Sequence, residues 1–375
     1  MMNEKEIGEI RRRFRPEKSA ISHVKGCLVN GNKAIVSEFD QNLATLNEQE
    51  ADALLSALKK VLSGKLGRQL IDVEFSPAQV TDSEEYALIA GLRNSGLKDK
   101  ELVSKLYEKI ISSLEIEGNY MILLASDSYD LFSYGKDGQR SEESEGVFHY
   151  FVCAVCPAKP AKPTLSYDVP AGCFYNVCAE TVLGKPALGF MFPSFDDRKA
   201  NIYNALYYTA DLNDSHEELS NALFGATLPL PAAEQKVQFE EVLYETVKEE
   251  CSLFTVRSLQ NQMLSVMEES KIEKREEPPV VDKKGAGEML RNCGVEEEKV
   301  EAFEEKFEEV FGENAEIHLT NLADTKQMKI ETPEATIHVH AGCEEVVETR
   351  EIGGVKYILI RADGGATLNG VNIEI

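Results

Sequence analysis

Two stretches near the middle of the chain set the tightest limit on its fold. YMILLA, from Tyr120 to Ala125, and VFHYFVCAV, from Val147 to Val155, are nearly continuous apolar runs. A strand with one wet face alternates apolar and polar residues, whereas one that is apolar at every position must be covered on both faces. The runs therefore predict a central sheet flanked by helices. GCFYNVCA and ALGFMF add strand candidates, and GKDGQRSEESEG between the two main runs reads as a polar loop.

The flanking elements have their own signals. HVKGCLVNGNKAIVSEF reads as a hairpin turning at Asn30-Gly31, a pair suited to a type I′ turn. In LNEQEADALLSALKKVLSG, Asn47 and Glu50 have capping-box spacing, Leu54, Leu55, Leu58, Val61 and Leu62 mark one helical face, and Gly64 supplies a stop. Helical periodicity returns at Ser83–Leu92, Asp99–Leu114, His216–Phe224, Gln235–Glu250 and Thr255–Glu269.

The clearest break is EESKIEKREEPPVVDKKGAG, where mixed charges, Pro278-Pro279 and two glycines interrupt the periodicity. It predicts a large α+β domain over 1–267 with a mostly antiparallel central sheet, a linker over 268–284, and a small α+β domain over 285–375. In the small domain Val300, Phe303, Phe307, Val310 and Phe311 form a helical stripe. After it, strand-like runs at Ala315–Leu319, Gln327–Glu331, Thr336–His340, Val346–Arg350 and Lys356–Ile360 suggest a meander. From Gly285 onward 20 acidic residues face 8 basic ones, about half of the formal charge of −25.

That charge argues against nucleic acid as a partner, because phosphates would be repelled. No run reaches the roughly 18 apolar residues of a membrane span, and the charged opening lacks the apolar core of a secretory signal. A cytoplasmic setting is expected, with eight cysteines kept as thiols. The basic run RRRFR, Arg11 to Arg15, reads as the polar face of a helix balanced by Glu4, Glu6 and Glu9, with a phosphate-binding arm as the alternative.

Few motifs suggest chemistry. Cys153 and Cys156 in FVCAVCPAKPAKP, with Cys173 and Cys178, approach zinc-ribbon spacing. Residues three apart on a strand point to opposite faces, however, and Pro157 opposes the helix N-terminus that a redox pair prefers. The pair reads as core, with zinc the alternative. His338 and His340 share one strand face, with Glu344 and Glu345 beyond, as in the first metal motif of cupins. No later histidine follows and position 332 is Thr332, so a solvent-facing strand is the expectation. SGKLG lacks the glycine and hydroxyl of a phosphate loop.

MFPSFDDRKANIYNALYYT is the best pocket candidate. It gathers Asp196, Asp197, Arg198, Asn201, Tyr203, Tyr207 and Tyr208 after a predicted strand, near Lys159 and Lys162 of the AKPAKP segment. Such a mixture can orient a polar ligand, or brace a loop.

EIGEIRRRFRPEKSAISHVKGCLVNG, LKKVLSGKLG, AVCPAKPAKPTLSY, GFMFPSFDDRKANIYNALYY and VETREIGGVKYILI together resemble domain-of-unknown-function family 4317 over nearly the whole chain. The resemblance implies a bacterial cytoplasmic setting and a two-part architecture, and it carries no activity or catalytic residues. The second cysteine pair is outside the pattern. The combined expectation is a binding, interaction or regulatory protein that meets a protein partner through its acidic C-terminal domain and needs no cofactor. The alternatives are an enzyme with a pocket around Asp197 and Arg198, or a small zinc protein.

Overall fold

The computed structural model describes residues 2–134, 140–162, 164–177, 181–275, 277–323, 327–340, 342–368 and 370–374. It divides into two compact units, Met1–Ala232 and Ala233–Ile375.

In the first unit, helix α1 (Glu4–Arg11) precedes a hairpin of β1 (His23–Val29) and β2 (Ile35–Asn42). Next come α2 (Glu48–Lys60), β3 (Leu70–Glu74), α3 (Pro77–Asp82), α4 (Glu84–Ser95) and α5 (Lys100–Ser113). The long strands β4 (Asn119–Tyr134) and β5 (Arg140–Lys159) follow, then β6 (Thr164–Asp168), β7 (Cys173–Val177), β8 (Val182–Leu183) and β9 (Leu188–Phe192). Strands β10 (Ser194–Asp196), β11 (Lys199–Asn201) and β12 (Asn204–Thr209) and helix α6 (Glu217–Phe224) complete it. The sheet order is β2-β1-β4-β5-β9-β12-β3, with β8 beside β5, and neighbouring strands pair antiparallel.

The apolar runs fall in the central strands and feed two separate cores. Phe151, Cys153 and Val155 pack on one face with residues of α4, α5 and α6, while Tyr150, Val152, Ala154 and Cys156 pack on the other with Ile7 and Ile10 of α1 and Leu55 and Leu58 of α2. Strand alternation alone produces this division. Of the expected loop at 135–146, positions 135–139 lie outside the described residues, while Arg140–Gly146 extend β5.

The contacts of the second unit begin ahead of the composition break. Helices α7 (Ala232–Val247) and α8 (Leu253–Ile272) precede β13 (Val280–Val281), α9 (Lys283–Asn292), α10 (Glu297–Phe311), β14 (Ile317–His318) and α11 (Leu319–Leu322). Phe239, Val242, Leu259 and Met263 share one core with Leu290, Val300, Phe303 and Phe307. Burial of that shared face joins α7 and α8 to the second unit, so the contacts divide at 232/233 and not at 268–284. The charged stretch itself contributes the end of α8, the short β13 and the start of α9.

The C-terminal strands also differ from a meander. β15 (Gln327–Glu331) pairs with β16 (Thr336–His340), β17 (Val347–Ile352) with β18 (Val355–Ile360), and β19 (Ala366–Leu368) with β20 (Val371–Ile373), as three two-stranded sheets. Glycines with positive φ, Gly353 (62°) and Gly354 (80°), make the tight turn of the middle hairpin.

Candidate functional site

The pocket candidate of the sequence is taken apart by the sheet. Tyr207 and Tyr208 are consecutive on β12, so one side chain enters each core. Tyr207 gives its hydroxyl proton to Ser215 O at 3.1 Å, and Tyr208 is 3% exposed. Tyr203 is exposed at the start of β12, and its backbone N–H donates to Asn201 Oδ1. Asn201 Nδ2 in turn donates to Asp196 Oδ2 at 3.2 Å, which braces the β10–β11 hairpin. Lys159 and Lys162 are exposed at or just beyond the far end of β5. Since Tyr129 pairs with Phe148 and Asn119 with Ala158, about ten residues of strand, or ~33 Å, separate Lys159 from the level of Tyr129.

Arg198 is the member that enters a cleft. Asp197 (φ 48°) and Arg198 (φ 53°) form the two-residue turn closed by the Asp196–Lys199 pair, with the backbone of a type I′ turn. Asn-Gly is the favoured pair there, and a left-handed backbone costs an ordinary L-residue roughly 1–2 kcal/mol. The turn is held against α1 by two glutamates one helical turn apart. Arg198 N–H reaches Glu6 Oε1 at 3.4 Å, while its guanidinium Nη1 donates to both Glu9 oxygens at 2.9 and 3.0 Å. Arg198 Nη2 donates to Phe132 O, and the Tyr129 hydroxyl donates to Glu9 Oε1. Burial holds the Glu6 carboxyl above its ordinary range despite the backbone N–H groups of Asn3, Arg198 and Asp197 that favour its charged form.

The RRRFR segment forms the opposite wall. Phe14 is 1% exposed in the core, which anchors the arm leaving α1. Arg13 Nε donates to Asp127 Oδ2 at 3.3 Å, and its guanidinium carbon lies 4.9 Å from the Tyr129 ring centroid. The Asp127 side chain is fully buried and also accepts from the Tyr150 hydroxyl at 2.8 Å and Ala20 N–H at 3.1 Å. Tyr150 is pushed well up by burial and by the Asp127 charge, so it stays protonated as a donor. Glu9, Arg12, Arg13, Glu17, Lys18, Tyr129 and Arg198 together line a cleft of about 570 Å³. Arg12 and Lys18 are exposed and have no ion-pair partner among the described residues.

The metal candidates are dispersed. Cys153 and Cys156 are fully buried on opposite faces, and burial raises both thiols, Cys156 to about 12. Cys173 is exposed, and Cys178 lies outside the described residues. His338 and His340 are exposed on β16. Among the described residues no three His, Cys, Asp or Glu side chains are grouped to hold a metal ion.

One titratable group has no forewarning in the sequence. Asp72 of β3 points into the same sheet face as Leu70, accepts a hydrogen bond from Asn204 Nδ2, and is pushed up to about 6 by burial. A carboxyl that is harder to ionise in the folded chain leaves the native state holding more protons between about pH 4 and 6. Stability therefore falls as pH rises through that window, and the penalty persists above it. Asp72→Asn is expected to raise unfolding stability at pH 7.5 by about 1–2 kcal/mol, and by little at pH 4, in denaturant titrations.

The fold and cleft define an acidic α+β protein of two units with a local cationic recess. The chain matches the family model described as Domain of unknown function (DUF4317) over residues 2–371, and it belongs to that family. No curated protein matches it. Among the described residues no helix is long and apolar enough to cross a membrane.

Proposed function

We propose that this protein works by binding: the cleft of the first unit takes a polar ligand, and the acidic second unit meets a protein partner. The observation that carries the reading is the anchoring of Arg13 and Arg198. Each guanidinium is oriented by a carboxylate, Asp127 or Glu9, while both line the same recess. Preorganised donors of this kind lower the entropic cost of holding a ligand. Of the residues grouped around Asp197 and Arg198 in the enzyme alternative, Tyr207 and Tyr208 have their side chains in the cores.

Residues 233–375 hold 32 acidic and 16 basic side chains. Their β17–β18 hairpin exposes Ile352, Val355, Tyr357 and Ile360. Apolar side chains beside Glu348 and Glu351 suit a partner surface that is itself apolar with a basic rim. The bacterial cytoplasm, taken from the family resemblance, is the setting this reading adopts; every described cysteine is a free thiol.

Native mass spectrometry of the full chain after incubation with a small-molecule cell extract tests the ligand reading. One retained mass per chain is expected, lost in Arg198→Ala while the unfolding midpoint holds. A bare chain, or a mass retained equally by that variant, contradicts it.

A further inference from the structure

We infer that the cleft recognises a phosphate group carried by a small molecule. This inference rests on the binding reading above and names the chemistry of its ligand. Arg12 comes from the C-cap of α1, Arg13 and Lys18 from the arm after it, and Arg198 from the β10–β11 turn. Four cations thus approach one recess from two segments, in a chain whose formal charge is −25. A carboxylate is satisfied by a single guanidinium fork. A phosphate monoester carries about −1.5 to −2 charge on three terminal oxygens and accepts from several cations at once.

The four cations divide into two kinds. Arg13 and Arg198 are fixed by Asp127 and Glu9, so they define direction while much of their charge is already matched. Arg12 and Lys18 have no ion-pair partner among the described residues and supply the charge that a dianion requires. Glu17 is exposed on the lining and subtracts from that charge. The cleft, at about 570 Å³, lies within the ~300–1,000 Å³ typical of small-ligand sites, so it has room for an organic body beyond the phosphate.

The turn supplies an independent argument. Asp197 and Arg198 occupy the two left-handed positions where Asn-Gly would be relaxed. A brace alone gives little reason to hold an arginine there, because the Arg198 side chain is 39% exposed and such ion pairs contribute little to stability. An arginine whose outer edge faces a ligand gives that reason.

Calorimetric titration of the full chain with pyrophosphate, inorganic phosphate and citrate tests the inference. Pyrophosphate is expected to bind saturably, one per chain, and citrate at least about tenfold more weakly. Arg12→Ala with Lys18→Ala should weaken pyrophosphate binding at least about tenfold at an unchanged unfolding midpoint. Glu17→Gln should tighten it about twofold. Asp197→Asn with Arg198→Gly should keep the midpoint while lowering affinity at least about tenfold. Absence of saturable pyrophosphate binding overturns the inference, as does affinity unchanged in the Arg12/Lys18 variant or equal affinity for citrate. A phosphorus-free mass retained by the wild type and lost in Arg198→Ala would overturn the phosphate assignment alone and leave the binding reading standing.

Discussion

Gly189→Ala is expected to destabilise the first unit by about 3–5 kcal/mol, among the largest effects of any single methyl group in this protein. Gly189 sits on β9 between β5 and β12, and a Cβ there would stand 2.3 Å from Cys153 O and 2.8 Å from Val61 Cγ2. The carbonyl belongs to the central strand, so relief requires the sheet to open or α2's C-terminal end to lift. Neither movement is confined to one side chain. The same argument applies to Gly26, whose added Cβ would meet Ile122 O at 2.2 Å. Urea titration followed by far-UV circular dichroism should show the midpoint lowered and the slope unchanged. A loss below about 1 kcal/mol would mean that β5 and β9 pack more loosely than the structure has them.

Asp127→Ala is expected to cost about 3 kcal/mol and to free the arm that walls the cleft. Three donors converge on this carboxylate: the Arg13 guanidinium, the Tyr150 hydroxyl and the Ala20 N–H. Removing it leaves the buried Tyr150 hydroxyl without its acceptor and Arg13 beside the apolar core. Arg13 is 20% exposed and can regain some water, which keeps the cost below that of a wholly buried pair. Because residues 13–20 lose their Asp127 anchor on β4, trypsin should cut after Lys18 at least about tenfold faster than in the wild type. Asp127→Asn keeps an acceptor oxygen and should lie between the two. Unchanged cleavage would show that Phe14 and the remaining contacts of Arg13 with Ser128 and Tyr129 hold the arm.

These two positions also mark what was legible in the sequence. The central strands and the separation of Cys153 from Cys156 follow from period-two alternation, a local property of the chain. Helix α2 is legible from its own local spacing: its Asn47–Glu50 capping box forms as the sequence implies. The cleft is another matter. Its pairings join Arg13 to Asp127 across 114 residues and Arg198 to Glu9 across 189. No local period connects such partners, so RRRFR read as a helix face and FPSFDDRK as a pocket with its neighbouring tyrosines. Arg198 lines the cleft in a setting that no local pattern reveals, and Tyr207 and Tyr208 enter the two cores because consecutive strand residues face opposite ways, the same rule that separates the cysteines.

The contact division at 232/233 differs from the composition break for another reason. Charge and proline content mark solvent exposure along the chain, whereas α7 and α8 belong where their apolar faces are buried. Asp72 carried no signal at all, since one acid in LIDVE matches the polar beat of an ordinary half-exposed strand.

The central claim is that the recess between the Arg12–Lys18 arm and the Asp197–Arg198 turn holds a ligand. A crystal structure of the full chain soaked in pyrophosphate tests it most directly. The anion is expected within hydrogen-bond distance of Arg12 and Lys18, flanked by Arg13 and Arg198, with the Asp127 and Glu9 contacts intact. A fully ordered but empty cleft at saturating pyrophosphate, with Arg12 and Lys18 directed away into solvent, would contradict it.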